Sequence, residues 1–394
     1  FARETGLAIA VRAGGHSIAG QSCCDGGLMI DLSLMKRIEV DPARRIARAE
    51  AGLLLGELDA ATQARGLATT MGVNSDTGIA GLTLGGGLGR LGRKHGLACD
   101  NLLAAEVVLA DGRIVHASAE ENPDLLWGLR GGGGNFGIVT EFTYRLHPLG
   151  PTVLGGLLIW DWADAREAMR RYARFCLAAP DAVDALGVLP TGPAGAPVFA
   201  VSACYAGPIA EGEQALKPLR EMTPRPMQDA VGPVAYTALQ ASADGLFLRG
   251  WRYYWKSHFL NGLPDAAIDV LVTHFAEAPS PLSKLGLQQV GGAIARVPAD
   301  ATAYANRDAA WDCIPIATWE DPAADARNIA WARGIWEAMR PFATGGVYLN
   351  NLGEEGEERI RAAFGANYAR LAALKAKYDP TNLFRANQNI APAG

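Results

Sequence analysis

Residues 11–22 read VRAGGHSIAGQS, a short apolar run that passes Arg12 and enters two glycines, a histidine and a serine. This pattern describes a strand running into a turn where the backbone must approach something closely or adopt positive φ. His16 at that turn has four readings: a metal ligand, a catalytic base, a satisfied turn residue, or a side chain bonded to a cofactor. The bare N–H groups of such a loop can also cradle a pyrophosphate. In that reading Arg12 offsets phosphate charge, Gly14 and Gly15 permit close approach, and Ser17 donates to an oxygen.

Outward from this loop, glycine is the unusual residue. The 394 residues include 47 glycines, against roughly 7% in an average protein. They cluster in GLTLGGGLGRLG (81–92) and LRGGGGNFG (129–137). Both clusters contain a GxGxxG match, at Gly87–Gly92 and Gly132–Gly137. A dinucleotide fold requires a strand before that motif and a crossover helix after it. The segment between Gly92 and Asp100-Asn101 is too short for such a helix, and after Gly137 the chain reads IVTEF, a strand. A nicotinamide-binding domain is therefore not expected. Three glycine loops with a polar NQN near the C-terminus favour a different large anionic cofactor.

The length is sufficient for two domains. Net charge is −5, from 36 basic and 41 acidic residues, which gives no electrostatic reason to expect nucleic acid or an anionic membrane. No run of about 18 apolar residues appears, so no membrane span is expected. The six cysteines show no CxxC pair, arguing against a disulfide framework or a zinc site and pointing to a reducing, cytoplasmic setting. The opening FARETGLAIAVRAGG reads as the end of a helix followed by a strand, so residues upstream of Phe1 are expected, and the lack of a signal peptide here carries no inference.

From residue 1 to 147 short apolar runs alternate with glycine-rich turns, and ADGR (110–113) reads as a hairpin turn. From about 151 longer strands such as APVFAVSACYAG and GWRYYWKSHFLNG alternate with longer helices, as in an antiparallel sheet covered on one face and free on the other. The expected class is α+β, with units at 1–147 and 148–365 and a final segment, 366–394, that returns to the first.

VRAGGHS, GLTLGGGLG…RKHGLACDNLLAAEVVLADG, DLLWGLRGGGGNFGIVTEF and YDPTNLFRANQNI together resemble FAD-linked oxidases of the berberine-bridge-enzyme type. Their flavin domain is shared with vanillyl-alcohol oxidase and p-cresol methylhydroxylase (the PCMH-type fold), and the resemblance spans nearly the whole chain. It implies FAD bonded to His16. It also implies flavin contacts from Gly81, Gly85, Gly89, Asp100 and Asn101, ribityl and adenine contacts from Gly134, Gly137, Ile138 and Val139, and closure by Asn387, Gln388 and Asn389. Many relatives carry a cysteine as a second tether where this chain has Asn74, so a single link is expected. The family's tyrosines in YxNY and GGGYG are Asn351 and Leu88 here, so the usual phenolate base is missing from its usual places. Tyr254, Lys256 and His258 share one face of the GWRYYWKSHFL strand, and Lys256 or Tyr254 is a base candidate if that face looks at the flavin. Tyr348, out of phase with Asn351, is expected to be structural.

The implied activity is hydride removal from a secondary alcohol, amine or activated C–H of a small, fairly apolar substrate, with dioxygen reoxidising the flavin to give hydrogen peroxide. The rivals are a flavin dehydrogenase using another acceptor and a flavin-binding protein that has lost its catalysis.

Overall fold

The computed structural model describes residues 1–394. In the N-terminal half, Ile9–Arg12 pairs in parallel with Leu28–Asp31. An antiparallel five-stranded sheet follows in the spatial order Ile38–Asp41, Ile46–Glu50, Ile138–Arg145, Leu102–Val108, Ile114–Ala117. The turn at 110–113 forms as read: Gly112 has φ +87 and Asp111 accepts from the Arg113 backbone N–H.

The second half is built on a nine-stranded antiparallel sheet. Its central strands are Val183–Leu189, Lys284–Gln289 and Trp311–Trp319, and the period of two divides their side chains cleanly. Val183, Ala185, Leu285, Leu287, Trp311 and Cys313 are buried against helices Ala165–Ala178, Asp265–Phe275 and Asp325–Met339. Leu186, Val188, Lys284, Gly286, Gln288, Ile314 and Ile316 point the other way, into a cleft shared with the glycine loops. Burying one face under helices leaves the opposite face as the binding wall.

Leu371, Leu374 and Tyr378 of helix Tyr368–Tyr378 join Leu125 and Phe136 in the first core, with Phe384 and Ile390 beyond the helix. Val347, Leu349, Leu352 and Phe364 lie in that core too. Ala303 touches the same core, and from Val347 onward the chain contributes to it repeatedly. No helix is long and apolar enough to cross a membrane.

Candidate active site

The GGH loop and the segment 74–81 meet backbone to backbone. A Cβ at Gly14 would collide with the amide of Gly78, and one at Gly78 with the amide of Gly14. Gly15 takes φ +71, which a side chain would strain. This contact sets His16, Ser17, Asn74, Gly78 and Gly81 along one wall of a cleft of about 450 Å³. Gly85, Gly134, Gly137, Ile138, Val139, Asn387 and Gln388 continue the same wall.

Two features of this wall suit a large polar group held by backbone. A Cβ at Gly81 or Gly134 would meet nothing within 4 Å, so these glycines border open space. The buried Oδ1 atoms of Asn74 and Asn387 have no partner in the protein, a cost offset if a ligand supplies donors. His16 Nε2 is 3.8 Å from Asp76 Oδ1, too far to hydrogen-bond.

Several expected contacts lie elsewhere. Arg12 pairs loosely with Asp31 at 3.9 Å, its neighbour across the parallel strands, and does not line the cleft. Asp100 accepts two bonds of 2.7 Å from the Arg307 guanidinium, and Asn101 donates to the carbonyls of His95 and Leu97. Both are committed to holding the 85–98 loop, which explains why neither reaches the cleft. Gly89 packs against the Met71 backbone and also lies off the wall, as does Asn389.

The facing strand is also corrected. Tyr254, Lys256 and His258 do share a face, but it is the one under helix Asp325–Met339. The Tyr254 hydroxyl accepts from Arg333 Nε (2.9 Å). Lys256 Nζ is 2.6 Å from Glu355 and sits over the Trp336 ring at 4.1 Å. Neither lines the cleft, and an ion-paired lysine on the far side of the sheet cannot take a proton there; Trp255 lines it instead.

YLNN is not a strand. Leu349–Asn351 is a 3-10 turn, so Tyr348, Asn350 and Asn351 all reach the cleft. The Tyr348 hydroxyl accepts from the backbone N–H of Gly87 (3.0 Å) and Leu88 (3.1 Å) and from Asn350 Nδ2 (2.8 Å). Burial lifts its phenol to about 12, so it remains neutral and anchors the glycine loop. Asn351 Nδ2 donates to Asp312 Oδ2 at 2.7 Å, and its amide oxygen remains available as an acceptor.

Residues 1–118 match the family described as FAD binding domain, and 347–391 the one described as Berberine and berberine like. An FAD-linked oxidoreductase of Dictyostelium discoideum is 31% identical over 398 residues, covering 100% of this chain and 85% of the relative. The chain belongs to the berberine-bridge-enzyme-like family of FAD-linked oxidoreductases. The (R)-6-hydroxynicotine oxidase of Paenarthrobacter nicotinovorans is 32% identical over 418 residues, covering 100% of this chain and 88% of that protein. The solved structure of 6-hydroxy-D-nicotine oxidase from Arthrobacter nicotinovorans superposes with a TM-score of 0.91 at 29% identity, over 100% of this chain and 88% of that one. Chitooligosaccharide oxidase gives 0.88 at 26%, with the same coverage.

Within this FAD-linked oxidoreductase, three residues that pattern reading passes over stand out. Asp312, wholly buried behind Asn351, lies inside an apolar strand that gives no sign of it. Tyr348 is excluded only by a strand phase that does not apply. Lys284 begins a strand whose cleft-facing positions only the sheet register reveals.

Burial pushes the Asp312 carboxyl up to about 7, against the hydrogen bond from Asn351. In the unfolded chain it ionises near ~4. Between about pH 4 and 7 the folded protein keeps a proton that the unfolded chain has lost, so stability falls as pH rises through that window and levels off above it. Asp312→Asn should flatten the dependence, read as urea midpoints at several pH values. Asp59, pushed up to about 7 by its own burial, keeps part of the slope.

Proposed function

We propose that this FAD-linked oxidoreductase is an oxidase acting on a carbon that bears a hydroxyl or amino group in a small, largely apolar molecule. The single observation that carries this is the shared cleft. Its one wall is the glycine-loop cradle, its other the sheet face of Leu186, Val188, Ile314, Ile316 and Trp255, and Asn351 stands at their junction. FAD when bound takes up a hydride and passes the two electrons to dioxygen, so that a secondary alcohol and dioxygen become a ketone and hydrogen peroxide. His16 lines the cradle and is proposed as the one covalent tether; Asn74, with no sulfur, offers no second.

The protein's own part is orientation. Asp312 fixes the Asn351 amide so that its Oδ1 accepts from the reacting O–H or N–H and turns the C–H toward the opposite wall. The apolar sheet face excludes water from the reacting carbon. Asn351→Leu should slow flavin reduction about 10²-fold, the scale of a lost positioning contact, with flavin content unchanged.

The test is oxygen uptake with peroxide release over a panel of secondary alcohols and amines, alongside anaerobic bleaching of the flavin. Bleaching with no oxygen uptake would replace the oxidase reading by a dehydrogenase one. No bleaching with any substrate would leave a binding protein.

A further inference from the structure

Lys284 is the one cation on the substrate wall. It opens strand Lys284–Gln289, is only 5% exposed, and lines the cleft with Gly286 and Gln288. Its Nζ donates to the carbonyl of Leu246 (2.7 Å) and more weakly to Thr318 Oγ1 (3.3 Å), and stands 4.4 Å over the Phe247 ring. An ammonium has three donors, so one remains unused. No carboxylate is within ion-pair distance of it, although Lys375 and Lys256, the other well-buried lysines here, are both ion-paired.

The rest of the lining makes this asymmetry specific. Among the cleft residues the titratable side chains are His16, Lys284 and Tyr348, and there is no aspartate or glutamate. Of the acids bordering the cleft, Asp244 accepts from Ser75 and Asp312 from Asn351, and neither pairs with Lys284. A cationic ligand would therefore be desolvated beside an ammonium with no counter-charge, while an anion would complete the coordination of Lys284. Burying a charge is favourable only when it is paired and hydrogen-bonded.

The sheet also sets a length. Gln288 is four residues along the strand from Lys284, about 13 Å at the strand rise. It sits opposite Asp312, whose carboxylate holds Asn351. A ligand that reaches both ends carries its charge on the order of 10 Å from the carbon held at Asn351, allowing for the reach of the side chains. Between the ends lie Ile314, Ile316, Trp255 and Phe247, a slot for a flat apolar body.

We propose that Lys284 is the specificity-determining residue of the cleft, and that the substrate is an elongated apolar or aromatic monocarboxylate with its oxidisable carbon at the end remote from the carboxylate. One lysine with one free donor matches a monoanion; a phosphate dianion would need further cations that the lining lacks. Arrival at the mouth, where Leu246 and Phe247 lie, would be charge-first. The proposal rests on the oxidase reading for which molecule is turned over, but its anion-selective step is independent of turnover.

The experiment is calorimetric titration of oxidised holoenzyme with three probes of one shape: 2-naphthoate, 2-naphthalenemethanol and 2-naphthylmethylammonium. The carboxylate should bind about 10- to 100-fold more tightly than the alcohol, the range expected of a charge-assisted hydrogen bond, and the ammonium should not bind. In Lys284→Met the ratio of alcohol to carboxylate dissociation constants should collapse toward one. An unchanged flavin spectrum and melting temperature would show that the variant is folded. Lys284→Arg should restore most of the preference. Absent carboxylate binding, equal binding of the ammonium, or a ratio unmoved by Lys284→Met would each overturn the proposal. A variant that kept the ratio but slowed flavin reduction would make Lys284 a proton acceptor instead, which also overturns it. Selective naphthoate binding by a protein that bleaches with no substrate would sink the oxidase reading and leave this one standing.

Discussion

Lys375→Met should lower stability by about 3–5 kcal/mol, the cost of leaving a buried charge without its partner. Lys375 and Asp379 are both wholly buried, with Nζ 2.6 Å from Oδ2. The ammonium spends its other two donors on the carbonyls of Asn135 and Phe384, both at 2.8 Å. Asp379 in turn accepts from the backbone N–H groups of Leu383 and Phe384. The pair therefore ties a helix, a glycine loop and the polar tail into one knot, and methionine can make none of these bonds. A lower urea midpoint with substoichiometric flavin is the expected outcome, because the tail held by Phe384 carries Asn387 and Gln388 into the cleft. A midpoint within experimental error of the parent would show that the tail is held by its apolar contacts alone.

His16→Ala should abolish acid-stable flavin. Wild-type protein precipitated by acid should keep its yellow colour in the pellet, and the variant should release all of it to the supernatant. Asn74→Cys is the complementary variant, since it places a thiol on the same wall. Flavin still bound covalently in His16→Ala would move the tether to another residue. The variant should also reduce its flavin more slowly, because a flavin without that bond is held less firmly against the substrate wall.

Much of the cradle is legible in the sequence because glycine leaves its reasons there. Gly14, Gly15, Gly81, Gly85, Gly134 and Gly137 reach the cleft from loops whose spacing resembles a known family. Gly89 does not, because a glycine packed on the Met71 backbone looks the same in one dimension as one beside a ligand. The substrate wall is harder to read. Strand alternation correctly groups Tyr254 with Lys256, yet alternation alone cannot say which face a helix will cover. The register puts Pro315, which has no N–H, across from Lys256, and the ladder stops there. Lys256 then leans to Glu355, and that acid is far away in the chain. Asp312 and Lys284 owe their places to pairing between strands, information that no local window contains. YLNN misleads for a related reason: a four-residue window reads equally as a strand or as a tight turn.

The knot around Lys375 also imposes an order of events on a newly made chain. The cradle is lined by residues from Ile9 to Gln388, so parts of the chain far apart in sequence must meet to complete it. Contacts of such wide separation form late, after the loop-closure entropy of the intervening sheet has been met. Until residues 384–390 emerge, the loop at Gly134 and Asn135 lacks the hydrogen bonds it shares with Asn387, Gln388 and Ile390. Flavin offered to a chain that lacks this tail would meet the glycine loops without Asn387 and Gln388.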